Sequence, residues 1–385
     1  MIALIAVSAF FMTLFGTPTL IKVAKMKRLV DEPSEDRKIH FRSVPVIGGV
    51  MIFLSIFFNV LFWVRFTDLE NTFLFSAHPV ALSCLILIFF MGLKDDIIGM
   101  SPSKKLLVHL FIGFVLTSLA GYRIESFGGL FGIHELSDTI SIVFSIFVYI
   151  VIVNSWNLID GIDGLAAGYS VIAMGAFTFW FLSVGSIPEG VLSIATAGTM
   201  LGFLVFNFAP ARIFMGDCGS LFIGVIGFVL SVAVINTPTG AIPTHLLLVS
   251  KEVFVMGILA YPLVDTLRVF LLRAVRGISP FHPDRNHLHH RLMMQFGTHT
   301  RAVLFVYAYS ILMISLAFTT PYFRGGLPIE VLFAGLLALA FGVFYPTLRS
   351  TRKRYIKSLK DNDSEGIKGR GKSKTQANSN QSVLT

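Results

Sequence analysis

The sequence predicts an all-α, polytopic integral membrane protein. Three observations carry that expectation. Of 385 residues, 54% are hydrophobic and only 14% are charged, where soluble domains carry about 25% charged residues. The mean hydropathy is +0.76. Apolar runs close to the ~20 residues that a bilayer-spanning helix needs recur along the chain, and 38 Phe are spread through them.

Taken in order, the runs give eleven expected spans: 2–21, 46–64, 78–93, 106–121, 139–153, 164–183, 190–208, 218–236, 253–272, 302–320 and 329–346. The first has no basic residues before it and several after it, so it reads as an uncleaved span and not as a signal peptide. An odd number of spans puts the termini on opposite sides. Basic residues choose the sides. With the N-terminus outside, 26 of the 31 Lys and Arg fall on the cytoplasmic side, four fall outside and Arg268 lies within a span. Residues 1–348 are therefore expected to form one multi-span membrane domain. Residues 349–385 change character: basic, polar and poor in apolar side chains, they read as a disordered cytoplasmic tail. The net charge of +9 is explained by topology and anionic lipid, so no nucleic-acid partner is implied. Cys84 and Cys218 offer no disulfide framework. No soluble domain, long linker or internal repeat stands out.

The polar residues that are hard to explain by packing collect on one side. "GLKDDIIGMSPSKK" holds Asp95, Asp96, Lys104 and Lys105. "NSWNLIDGIDGL" holds Asn154, Asn157, Asp160 and Asp163. "NFAPARIFMGDCGS" holds Asn207, Arg212 and Asp217. "SPFHPDRNHLHHRL" holds Arg285, His287, His289 and His290, and "VDEPSEDRKIHFRSVPVIGG" holds His40. All five segments lie at cytoplasmic ends of spans in this topology. Clustered carboxylates without Cys suit a hard cation, Mg²⁺ or Mn²⁺. Lys105, Arg285 and the histidines suit phosphate oxygens. Together they point to phosphoryl transfer between a water-soluble and a lipid substrate.

Plainer explanations stand beside each motif. Asp95 and Asp96 can be a solvated helix end. Asp160, Asp163 and Asp217 can cap helix starts. The histidines can lie at the membrane interface or bind zinc, although the hard oxygen donors around them favour Mg²⁺. A cation-coupled transporter fits the Gly-broken spans loosely, but it would place ionisable groups at mid-membrane, where only Arg268 and Asp265 lie. A scaffold without chemistry leaves the His and Asp clusters unexplained.

The ordered set "DEP…RKIH…P…GG", "GLKDD", "NSWNLIDGIDGLAAG", "NFAPARIFMGDCGSLFIG" and "SPFHPDRNHLHHRLM" resembles the polyprenyl-phosphate N-acetylhexosamine-1-phosphate transferases over residues ~1–346. The His-x-His-His form of the last motif is most similar to the branch that begins O-antigen, enterobacterial common antigen and teichoic acid linkage units. The resemblance implies attack of undecaprenyl phosphate on the β-phosphorus of UDP-N-acetylglucosamine, with UMP leaving. UDP-GalNAc, a rare deoxy-amino sugar and UDP-MurNAc-pentapeptide are the alternative donors. It implies a metal role for Asp217, with Asp95 and Asp96 beside metal and lipid phosphate. Phe214 would lie by the uracil ring, and Asn157, Asp160 and Asp163 near the nucleotide. Lys105 and His40 would bind substrate, and Arg285, His287, His289 and His290 would cover sugar and pyrophosphate. A homo-oligomer is left open.

Overall fold

A computed structural model describes residues 1–31, 44–66, 78–275, 277, 287–323 and 328–345. A helix occupies each of the eleven expected segments. These are α1 (Ile2–Met26), α2 (Gly49–Val64), α3 (His78–Ile98), α4 (Pro102–Phe114, continued by a π turn over Val115–Leu119), α5 (Asp138–Leu158), α6 (Leu165–Ser183), α7 (Ile187–Asn207), α8 (Gly216–Ile235), α9 (Lys251–Val275), α11 (His299–Phe323) and α12 (Ile329–Gly342). Eight of them are long and apolar enough to cross a membrane. The other three are α2 and α12, which are shorter apolar helices, and α3, which ends in Lys94, Asp95 and Asp96. The protein is a multi-pass membrane protein.

Several helices run past their apolar stretch, α1 to Met26 and α5 to Leu158. Backbone hydrogen bonding continues wherever polar residues tolerate the helix, so apolarity marks the slab and not the helix end. Two elements lie outside the expected set. One is the short amphipathic helix α10 (Leu288–Phe296). The other is a strand pair, β1 (Val30–Asp31) and β2 (Val44–Pro45), antiparallel with Val30 opposite Pro45. The expected tail at 349–385 lies outside the described residues.

Helix α8 is the axis of the bundle. Its residues from Cys218 to Leu230 are buried without a break, the pattern of a helix apolar on every face. It packs against α3, α5 and α2. Small residues permit that closeness. A Cβ on Gly224 would stand 2.9 Å from Val153 Cα, and one on Gly227 would stand 2.7 Å from the Trp156 ring. Around the axis, α1 packs on α7 and α7 on α6. Ser55 joins α1, α2 and α7, bonding Ala9 O at 3.1 Å and Thr199 Oγ1 at 2.8 Å. The outer surface is apolar: Phe15, Phe58, Phe62, Phe111 and Phe147 are exposed, as a lipid-facing wall requires.

Candidate active site

Successive antiparallel helices bring the ends of α3, α5 and α7 together with the starts of α4, α6 and α8. The motifs read from the sequence therefore meet at one end of the bundle. The start of α8 is held first. Asp96 Oδ1 accepts the Asp217 N–H at 2.8 Å, and Oδ2 accepts the Cys218 N–H at 2.9 Å. One carboxylate thus satisfies two of the orphan donors of a helix N-terminus. Gly216, at φ +72°, makes the turn into the helix. A side chain there would be strained and would stand 2.7 Å from Asp96 Oδ2. A strap from the other side completes the hold. Phe214 N–H donates to Pro45 O at 2.8 Å, and Gly48 N–H donates to Phe214 O at 2.9 Å.

So fixed, Asp217 stands in the first turn of α8 with its carboxylate directed inward. Asn157 Nδ2 donates to Asp217 Oδ1 at 2.8 Å and to Ser220 Oγ at 2.9 Å. Lys105 Nζ donates to Asp217 Oδ2 at 2.8 Å and also bridges to Asp95. Asp160, in the turn between α5 and α6, faces the same carboxylates. Among the described residues, Asp217 and Asp95 thus share one ammonium, with Asp96 and Asp160 close by.

The electrostatic result follows. Burial, and then the neighbouring Asp217, raise the Asp95 carboxyl above its ordinary range, while Lys105 works against the rise. Burial pushes Asp96 up to about 6, although its two backbone donors pull it down. Burial, with the charges of Asp217 and Asp96 added, holds Asp160 well above the carboxylate range. These hard oxygen donors are of the chemical kind that suits Mg²⁺ or Mn²⁺, but among the described residues they do not converge as a metal-ligand group does.

The other expected residues divide. Asp163 is buried and structural in its contacts. Its Oδ2 accepts the Ala211 N–H at 2.9 Å, and His299 Nδ1 stands 3.9 Å from Oδ1. Asn207 ties the same turn by accepting the Gly164 N–H and donating to Ile213 O. Phe214 is half-buried beside the strap. His287 and His289 are buried, whereas His290 is half-exposed. A Cβ on Gly161 would stand 2.5 Å from His289 Nε2, so the histidine motif packs directly on the turn that carries Asp160. The expectations for His40 and Arg285 lie outside the described residues.

Sequence reasoning left Asp265 without a role. It is fully buried on α9, accepts the Leu288 N–H at 2.7 Å, and lies 3.3 Å from Nδ1 of both His287 and His289. The signal was available: an acid inside an apolar helix requires a partner, and the histidine motif follows the same helix in the chain.

Residues 78–235 match the family model described as Glycosyl transferase family 4. Full-length relatives extend the match. A decaprenyl-phosphate N-acetylglucosaminephosphotransferase of Mycolicibacterium smegmatis is 30% identical over 90% of this chain and 89% of its own length. The chain belongs to glycosyl transferase family 4. A probable undecaprenyl-phosphate N-acetylglucosaminyl 1-phosphate transferase of Bacillus subtilis is 31% identical over 76% of the chain and 77% of its own. The undecaprenyl-phosphate alpha-N-acetylglucosaminyl 1-phosphate transferase of Escherichia coli strain K12 is 27% identical over 93% and 95%. The protein is thus a membrane phosphotransferase, and the transporter and scaffold readings fall away. The matched span of this family 4 enzyme covers α3 to α8, which carry every member of the carboxylate cluster.

Proposed function

We propose that this family 4 enzyme transfers N-acetylglucosamine 1-phosphate from UDP-N-acetylglucosamine to undecaprenyl phosphate at the cytoplasmic face of the inner membrane. A phosphate oxygen of the lipid attacks the β-phosphorus, the pyrophosphate bond breaks, and UMP leaves with the bridging oxygen. Undecaprenyl-pyrophosphoryl-N-acetylglucosamine remains. This would be a first membrane step of surface polysaccharide synthesis. The observation that carries the reading is Asp217, held between Asn157 and Lys105 and facing Asp95 and Asp160 at one end of the bundle. The relatives' names support the sugar, although they differ between decaprenyl and undecaprenyl acceptors. The eleven helices and the bias of basic residues support eleven spans with the N-terminus outside.

The residues take distinct parts. Asp217, Asp95 and Asp160 would hold Mg²⁺, which when bound would offset the charge of the reacting phosphates. Asp96 keeps the start of α8 in place, since both its oxygens already receive backbone N–H groups. Lys105, at present shared by two carboxylates, is the cation nearest to them and serves the phosphates. Asn157 fixes the Asp217 rotamer. Phe214 offers a ring for the uracil beside the strap, with Asp163 holding the nucleotide turn. His290 is the member of its motif open to substrate, with His287 and His289 holding that segment in place; His40 and Arg285 add phosphate contacts. A lipid phosphate, with a second pKa near ~6, is largely dianionic at neutral pH, so orientation outweighs proton removal.

The test is UMP release by purified protein in detergent with undecaprenyl phosphate and Mg²⁺. UDP-GlcNAc, UDP-GalNAc and UDP-MurNAc-pentapeptide are supplied in parallel. Release from UDP-GlcNAc alone, abolished by EDTA, is expected. Release from another donor would keep the chemistry and replace the sugar. No release from any donor by folded protein would reject the reading.

A further inference from the structure

We propose that Asp265, His287 and His289 form a second metal site, for a divalent transition metal of the Zn²⁺ kind, separate from the carboxylate cluster. The three side chains come from two elements, α9 and the start of α10, and are 0%, 6% and 1% exposed. Asp265 Oδ2, His287 Nδ1 and His289 Nδ1 converge, all within 4.8 Å of one another. None of these three atoms has a hydrogen-bond partner among the described residues. Both Nδ1 atoms lie 3.3 Å from the same Oδ2, close enough for the two rings to act on the Asp265 carboxylate electrostatically, but outside good hydrogen-bond alignment.

Two imidazole nitrogens crowded on one buried carboxylate oxygen with poor hydrogen-bond alignment are costly as an ion-pair cluster and economical as a ligand set. Zinc bonds of about 2.0–2.1 Å at tetrahedral angles put ligand atoms roughly 3.3 Å apart. That is the separation seen twice here. The donor set also selects the metal. Two imidazole nitrogens with one carboxylate suit Zn²⁺ and its neighbours, whereas the oxygen-only cluster around Asp217 suits Mg²⁺. Asp265 Oδ1 accepts the Leu288 N–H, which orients the carboxylate as an outer bond to a metal ligand does.

The site would staple α10 to α9 and set the ring of His289. With Nδ1 on the metal, Nε2 carries the proton, and that edge of the ring lies on Gly161, next to Asp160. The metal therefore fixes a histidine against the nucleotide turn without taking part in transfer.

The experiment is elemental analysis of the full-length protein, purified by a tag without histidine and without chelators. About one zinc per chain is expected. His287→Gln, His289→Gln and Asp265→Asn should each reduce it to background, while Asp217→Asn should retain it. Should a variant fail to fold, the wild type refilled with Co²⁺ gives a second reading. Visible bands of tetrahedral Co²⁺, displaced by Zn²⁺ and not by Mg²⁺, support the site. Folded wild type that holds no stoichiometric transition metal, and gives no such bands with added Co²⁺, overturns it. So does a metal content that survives loss of all three ligands.

Discussion

Two acidic clusters lie toward the same end of this bundle, and they are built on opposite plans. Around Asp217, four carboxylates gather, two of them share Lys105, and the group stays partly open. Around Asp265, one carboxylate meets two histidines and all three are buried. Among the described residues the first has more carboxylates than cations facing them, the arrangement that the proposed function uses for a cation and phosphates. The second has the side chains of a closed site and receives nothing from solution except an ion that stays. Excess charge left accessible marks a place for reactants. Matched ligands taken out of water mark a fixed support.

The largest effect should come from breaking the open cluster at its centre. Asp217→Asn keeps the shape and removes one charge where the reading puts the metal. UMP release should fall by about 10²–10³-fold, the size typical of losing one preorganised electrostatic contact. The melting temperature should fall as well, since the variant loses the Lys105 ion pair and turns an NH₂ toward either Asn157 or Lys105, but by less than for a buried backbone donor, because the partly exposed Lys105 can turn to water. Asp96→Asn sharpens the contrast. An amide can accept only one of the two backbone donors at Asp217 and Cys218, and its NH₂ then faces the other. Leaving a buried donor unmet costs about 1–3 kcal/mol, so thermal unfolding should shift down along with the loss of activity. Equal stability losses in both variants would contradict the division between a ligand and a holder.

The two clusters touch at one place, Gly161 against His289. Gly161→Ala would put a methyl group where the His289 ring lies, so ring and turn must part. Misplacement of this kind, remote from the reacting atoms, costs on the order of 10-fold or more. Transfer should fall by that amount with protein yield and Mg²⁺ affinity little changed. Wild-type kinetics in Gly161→Ala would show that the histidine segment does not support the nucleotide turn.

Much of this was legible in the sequence, and the reason is physical. A bilayer forces apolar runs of similar length, so a helix stands in each of the eleven expected segments, eight of them long and apolar enough to cross a membrane, whereas the amphipathic α10 was not expected. Antiparallel succession then makes span ends meet, which is why Asp95, Asn157, Asp160 and Asp217 could be grouped before any geometry was known. What a residue does inside the group was not legible. Asp95 and Asp96 are neighbours in sequence, yet one faces Lys105 and the other caps α8, because consecutive residues on a helix point about 100° apart. The start of α8 was read as open to a cap from Asp217 itself; the cap comes from α3, 121 residues earlier. Asp265 was passed over because its partners lie 22 and 24 residues further along the chain, and no local pattern joins them.

The smallest effect concerns protons, and it tests the charge excess itself. Asp96 has a native pKa of about 6 against an ordinary 3.8, and Asp95 and Asp160 are also raised. The sign follows from proton counting. Between about pH 4 and 6 the metal-free native state holds a proton on Asp96 that the unfolded chain has released, so this group's contribution to stability falls as pH rises through that window. A cation beside Asp217 favours the ionised forms and must expel those protons. Calorimetric titration of Mg²⁺ at pH 6, in two buffers of different ionisation enthalpy, should therefore show proton release of a fraction of an equivalent or more. The release should shrink by pH 8, where Asp96 is already ionised, and apparent Mg²⁺ affinity should weaken as pH drops below 6. The Asp265 site, if it keeps its metal throughout, adds nothing to this signal. Heats independent of buffer at pH 6 would mean that the carboxylates are ordinary acids, and the open cluster would then lack the charge excess that sets it apart from the closed one.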